Sequence, residues 1–246
     1  MRAWGTIMAM ATYVLVHGAW GGAHGFHLLR PRLRASGHEV FTPSLTGIGE
    51  RSHLTGPHVG LGLHVRDVVN TILYEDLRDI VLLGFSYGGM VVTGALDEVG
   101  DRVRELVYLD AFLPADGQSV ADLAPGMAAA VPPGGVAGLG APWLIPGTAR
   151  HYDDPAEGEW AGLRRSAQPV ATFTEPVRTA VPVDQRPLGR TYIRATAEDV
   201  TGGAFEAAAA HARTSPAWRY HEIATTHMVP QNRPEDLAAL LLDLAR

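Results

Sequence analysis

Leu82-Leu83-Gly84-Phe85-Ser86-Tyr87-Gly88-Gly89-Met90 is the stretch that decides the architecture of this 246-residue chain. Leading into it, Asp79-Ile80-Val81-Leu82-Leu83 is aliphatic from Ile80 onward, the pattern of a buried strand. Just after it, a helix is predicted to run to about Val99. A strand that turns through flanking glycines into a helix makes a sharp elbow with a serine at its tip. A serine hydroxyl is a weak nucleophile and needs exposure, a base and a seat for the oxyanion. The elbow gives the exposure, and the helix N-terminus directs amides at developing negative charge. Chance alone gives roughly 0.1 occurrences of Gly-x-Ser-x-Gly in a chain of this composition, so the flanking strand and helix carry the specificity.

Working outward, Tyr13-Val14-Leu15-Val16 is a second buried strand that ends in the glycine-rich loop His17-Gly18-Ala19-Trp20-Gly21-Gly22. In a serine-elbow sheet this loop supplies the other oxyanion amide, so Ala19 N–H is expected to join Tyr87 N–H. A helix is predicted over Phe26–Ser36, closed by Gly37, then a strand over Glu39–Thr42 stopped by Pro43, then an amphipathic helix over His64–Leu77. Further strands are predicted at Glu105–Leu109, Thr191–Arg194 and Trp218–Ile223, and a terminal helix at Pro234–Ala245. This alternation predicts an α/β fold: right-handed crossovers and a mostly parallel sheet covered by helices on both faces, as one domain over 1–246. Between Phe112 and Pro187 the pattern dissolves into Ala, Gly and Pro, most densely at Val131-Pro132-Pro133-Gly134-Gly135-Val136. No strand is expected there, and 112–187 is expected to be a lid insertion over the site.

The base must follow the nucleophile and the acid in chain order. Of 11 histidines, His227 has the right place, in the loop between the last strand and the terminal helix. His211 falls in an Ala-rich helix and His221 in a strand, which suits packing or surface positions. His24 and His27 could share a helix face, but no carboxylate accompanies them at ligand spacing, so no metal is expected. The acid has three candidates. Asp199 and the adjacent Glu198 lie just past the strand Thr191–Arg194, and Asp110 ends the strand before the insertion. Asp199 could instead cap the helix that starts near Gly203, and Asp110 could anchor the lid. Trp20, Tyr87, Phe112, Trp143, Leu144, Trp160 and Phe173 flank the loops or the lid, which predicts an apolar pocket for small to medium hydrophobic esters.

Composition narrows the chemistry further. The formal charge is −6 with no run of like charges, so no nucleic-acid footprint is present. All 20 basic residues are Arg; without Lys there is no Schiff-base or P-loop lysine. With no Cys, thiol nucleophiles, thiolate metal sites and disulfides are excluded. Met1–Thr12 lacks the apolar core of a signal peptide, Met8 and Met10 are alternative starts, and no apolar run approaches a membrane span, so a cytoplasmic location is expected. Neither a cofactor nor a membrane partner is expected, and a monomer or homodimer fits equally.

With these residues in place, the chain resembles the α/β-hydrolase superfamily, in the branch of small bacterial esterases and pyrethroid-hydrolase-like enzymes related to plant methylesterases and hydroxynitrile lyases. The resemblance runs through Tyr13–Trp20, Thr46-Gly47-Ile48-Gly49-Glu50-Arg51, the serine turn, Tyr108-Leu109-Asp110-Ala111-Phe112-Leu113-Pro114 and the His227 loop, and is thinnest in the lid. It implies an ester hydrolase acting through an acyl-enzyme on Ser86, with His227 as base. Ala195-Thr196-Ala197-Glu198-Asp199 looks like the acid-bearing segment of the methylesterases, which favours Asp199 over Asp110. Hydroxynitrile lyases of this branch carry a lysine after the histidine and a threonine in the first oxyanion loop; Met228 and Gly18 stand here, so cyanohydrin cleavage is not expected. Two alternatives remain: a lactonase or C–C bond hydrolase of a catabolic or natural-product pathway, and a ligand-binding receptor of this fold with vestigial activity.

Overall fold

The uninterrupted apolar runs become the middle of a sheet. The computed structural model describes residues 10–128 and 141–245, so Val131–Val136 and most of Met1–Thr12 lie outside the described residues. In chain order the elements are β1 (Thr12–Val16), α1 (Leu29–Ala35), β2 (Glu39–Phe41), α2 (Leu61–Tyr74), β3 (Ile80–Phe85), α3 (Gly88–Val99) and β4 (Val103–Leu109). Then come α4 (Val120–Leu123), α5 (Pro125–Ala128), β5 (Leu144–Ile145), α6 (Pro155–Gly162), β6 (Gln168–Pro169) and α7 (Ala171–Thr174). The chain closes with β7 (Gly189–Ala195), α8 (Ala204–Thr214), β8 (Arg219–Ile223), α9 (Val229–Asn232) and α10 (Pro234–Leu244).

Six strands form one sheet in the order β2-β1-β3-β4-β7-β8, and every neighbouring pair is parallel. The two-residue period of a strand divides β3 between two cores. Ile80 and Leu82 pack with Val68, Ile72, Met90 and Leu96 of α2 and α3, while Val81, Leu83 and Phe85 pack with Leu29, Leu33, Leu237 and Leu241 of α1 and α10. A strand buried on both faces has no polar side to show, which is why its sequence reads as a continuous apolar run.

Register sets the site. Val16 pairs with Gly84, Phe85 with Leu109, Leu109 with Ile193, and Ala195 with Ile223. The loops that follow β1, β3, β4, β7 and β8 therefore leave the sheet along one carboxyl edge, where ligands bind in open α/β sheets.

Three sequence expectations are revised. The helix expected over Phe26–Ser36 is a 3-10 turn at Ala23–Phe26 followed by α1; Gly37 does close it, at φ +85°. The amphipathic helix begins at Leu61, three residues before His64. The segment after Phe112 does hold strands: β5 and β6 pair antiparallel, Leu144 with Pro169 and Ile145 with Gln168. Two residues each are too few to leave an alternation in the sequence.

Candidate active site

Three strand ends carry the strain of the site. Trp20 after β1, Ser86 after β3 and Asp110 after β4 have φ of +61°, +57° and +41°, a region that side chains other than glycine rarely occupy. At Ser86 the glycines permit it: a Cβ on Gly88 would lie 2.5 Å from the Val16 carbonyl oxygen, and one on Gly84 2.7 Å from that of Gly88. Backbone packs on backbone around the elbow, and only glycine leaves the room.

His227, carried by the loop between β8 and α9, reaches across this edge. Its Nε2 lies 2.9 Å from Ser86 Oγ and its Nδ1 2.7 Å from Asp110 Oδ2, and the imidazole stacks between Phe85 and Phe205 at ring separations of 4.8 and 5.5 Å. All three residues are buried. A carboxylate only accepts, so Nδ1 carries the proton and Nε2 presents its lone pair to the serine O–H. Asp110 is held in turn by Arg194 and Ala195 N–H, both on Oδ1. His227 N–H donates to Glu198 Oε1 at 2.8 Å, which fixes the loop rather than the ring.

The preference for Asp199 is corrected here. Its Oδ1 accepts from Thr201 N–H at 2.9 Å and Thr201 Oγ1 at 3.0 Å, which makes it the cap of the turn before α8. Burial raises its pKa, yet these bonds hold the carboxyl below the usual range. The imidazole meets Asp110 because β4 is the immediate neighbour of β3, whereas β7 lies one strand farther out. Arg194, whose part sequence reading missed, was visible only as the arginine that ends the predicted strand Thr191–Arg194.

Neither the Ala19 nor the Tyr87 amide donates to a protein acceptor within the described residues, as an oxyanion seat requires. Gly18 lets the loop come close: a Cβ there would lie 2.8 Å from Ser86 Cβ. Trp20 fastens the loop to the insertion. Its N–H donates to Gln168 Oε1, its indole N–H to the Ile145 carbonyl, and its carbonyl accepts from Ser166 N–H.

Two buried histidines brace this loop and the elbow. His17 accepts from Leu45 N–H on Nε2 and donates from Nδ1 to the Gly18 carbonyl. His64 donates from Nε2 to the Thr46 carbonyl and accepts from the Tyr87 hydroxyl on Nδ1. The Thr46–Arg51 motif is held by Asp67, which accepts from Thr46 N–H, Thr46 Oγ1 and Arg51. Burial pushes His17 and His64 each down to about 4. Their unfolded-state values stand near 6.5, so the unfolded chain binds more protons between pH 6.5 and 4, and stability present above 6.5 is lost on acidification through that window. The expected loss is about 1.4 kcal/mol per pH unit per histidine. Melting temperature should fall steeply between about pH 6.5 and pH 4.5, above the range where ordinary carboxylates protonate; a flat profile there would contradict the neutral buried pair.

The cavity in front of Ser86 is narrow, about 40 Å³, with Trp20, His227, Met228, Tyr152, Arg150 and Arg165 among its walls. Of the expected pocket residues, Trp20 is in the wall and Phe112, Trp143 and Trp160 are not. Phe112 packs on Phe205 in the core, Trp160 stacks with His27 and Arg164, and Trp143 contributes a carbonyl to Val170 N–H. Aromatic type marked them, but an insertion without periodicity gives no facing. His24 and His27 face separate carboxylates, Glu50 at 3.5 Å and Glu157 at 3.3 Å, and no group of three or more metal-ligating side chains occurs among the described residues. No described helix is long and apolar enough to cross a membrane.

Comparison with known proteins points to the same fold. The alpha/beta hydrolase family model matches residues 13–240. The chain is 36% identical to a carbendazim hydrolyzing esterase of Nocardioides sp. (strain SG-4G), over 96% of this chain and 100% of that one. It is 32% identical to a pyrethroid hydrolase of Sphingobium wenxiniae over 45% of this chain and 39% of that one. A methylesterase from Arabidopsis superposes with TM-score 0.75 at 21% identity, covering 96% of this chain and 98% of that one, a likeness of fold.

Proposed function

The chain belongs to the alpha/beta hydrolase family, and from that premise we propose that this carboxylic-ester hydrolase works through an acyl-enzyme on Ser86, with His227 as general base and Asp110 as the orienting acid. The observation that carries the reading is the unbroken relay from Ser86 Oγ through both ring nitrogens of His227 to Asp110 Oδ2. Ser86 Oγ attacks the ester carbonyl as His227 Nε2 takes its proton. The carbonyl oxygen becomes an oxyanion held by the amides of Ala19 and Tyr87. Collapse expels the alcohol, which leaves with the proton from His227. Water, deprotonated by the same imidazole, attacks the acyl-serine and releases the acid. Asp110 holds the Nδ1–H tautomer throughout and stabilises the imidazolium. The segment between β4 and β7 acts as a lid that narrows the cavity against bulk water. Gly18 argues against cyanohydrin chemistry, since the crowding at its Cβ position leaves no seat for a threonine.

A fluorophosphonate probe with intact-mass and peptide analysis tests the assignment. One adduct, on Ser86, is expected, together with turnover of a p-nitrophenyl ester panel. No adduct and no turnover would overturn the esterase reading in favour of a ligand-binding protein.

A further inference from the structure

The cavity that opens on Ser86 and His227 also receives two guanidinium groups, Arg150 and Arg165, both from the insertion. Both lie over the Trp20 ring, with their central carbons 5.6 and 5.9 Å from its centroid, so one indole supports two like charges. Neither forms an ion pair among the described residues. Arg150 spends Nη1 on Thr148 Oγ1 and the Ala149 carbonyl, and Arg165 Nη2 is buried with no hydrogen-bond acceptor at all.

The carboxylate within electrostatic range of Arg150, Glu198, is engaged elsewhere, since it holds His227 N–H. Burial pushes both arginines below their ordinary basicity, and for Arg150 the neighbouring Arg165 adds to the effect. A guanidinium does not lose its proton in a protein, so the charge stays and asks for an anion. A half-buried cation without an anion is left incompletely compensated, and two of them lining the cavity of the reacting serine make a seat whose missing part is negative.

We infer that Arg150 and Arg165 bind a carboxylate carried by the substrate, so that the ester cleaved at Ser86 is a monoester of a dicarboxylic acid or an acyl ester of a hydroxy acid. This rests on the esterase reading and refines it: the hydrophobic ester expected from the aromatic residues gives way to an anionic one. Planar guanidinium forks suit a carboxylate, which either arginine can meet in bidentate fashion. The same pair would hold the acid product, so a free carboxylate is expected to inhibit.

Two matched ester pairs test the inference and tell which arm carries the charge. Mono-4-nitrophenyl adipate against 4-nitrophenyl hexanoate places it on the acyl side; 4-(butanoyloxy)benzoate against 4-(butanoyloxy)benzamide places it on the alcohol side. In at least one pair the anionic member should have a kcat/KM about 10- to 100-fold higher, the preference shrinking between about 20 mM and about 300 mM salt. In Arg165→Gln and in the Arg150→Gln/Arg165→Gln double variant the ratio should fall towards one, with Arg165→Lys in between. Because the ratio is taken on one preparation, partial misfolding cancels.

A neutral ester cleaved as well as its anionic partner in both pairs, or a preference unmoved by the double variant, overturns the inference. If no ester turns over, the esterase reading fails by itself. Calorimetry of monomethyl adipate against dimethyl adipate on Ser86→Ala then decides: an anion preference lost in the added arginine substitutions sustains the carboxylate seat, and equal binding overturns it.

Discussion

Asp110→Asn should lower kcat by about 10³- to 10⁴-fold, while Asp199→Asn leaves it within about three-fold. The asparagine amide can turn its NH2 towards His227 Nδ1 while its oxygen keeps the bonds from Arg194 and Ala195 N–H. The ring then gives up the Nδ1 proton and carries one on Nε2, where it cannot accept from Ser86. Asp199 has no such role, since Asn at that position retains an oxygen for Thr201 N–H and Oγ1. The measurement is kcat on one activated ester, with near-ultraviolet circular dichroism to separate lost chemistry from a fold weakened at the buried Arg194 charge. A collapse in Asp199→Asn with Asp110→Asn intact would return the acid to the loop after β7.

That prediction turns on the acid, where the sequence reading preferred Asp199 and the imidazole meets Asp110 instead. The meeting of Ser86 with His227 was legible because each position rests on local information: an elbow between a recognisable strand and helix, and a histidine in the loop before the terminal helix. The acid depends on which strand lies beside β3, and a sequence without its strand order leaves Asp110 and Asp199 both at carboxyl ends. The parallel sheet was legible for the same reason as the serine, through apolar runs that alternate with 3.6-residue periodicity. The insertion was not, because its described strands are two residues long, too short to leave a period in the sequence. Arg150 and Arg165 stood in plain view as letters, and only folding turned them towards the serine.

Gly18→Val should lower kcat by about 10²- to 10³-fold with KM little changed. A Cβ at residue 18 would sit 2.8 Å from Ser86 Cβ and 3.3 Å from its Oγ, closer than carbon atoms pack. Either the serine leaves its rotamer or the loop retreats, and the second takes the Ala19 amide away from the oxyanion. An oxyanion donor acts mainly on the transition state, so the loss belongs in kcat rather than in substrate binding. Gly18→Ala, with less bulk beyond the Cβ, should fall between wild type and valine. Activity of Gly18→Val within about five-fold of wild type would mean that the loop has slack the geometry does not show.

The three bonds at Trp20 have a bearing on how such an enzyme can be altered. Residue 20 belongs to the loop to which we assign an oxyanion amide, and its partners Ile145, Ser166 and Gln168 belong to the insertion that also lines the cavity. A transplanted segment that lacks the Gln168 oxygen, or shifts the Ile145 carbonyl, leaves a buried N–H without an acceptor at about 1–3 kcal/mol each. It also frees the residue next to the Ala19 amide. Substrate range and turnover are therefore inherited as one block, and exchange between relatives succeeds only when both sides of that seam travel together.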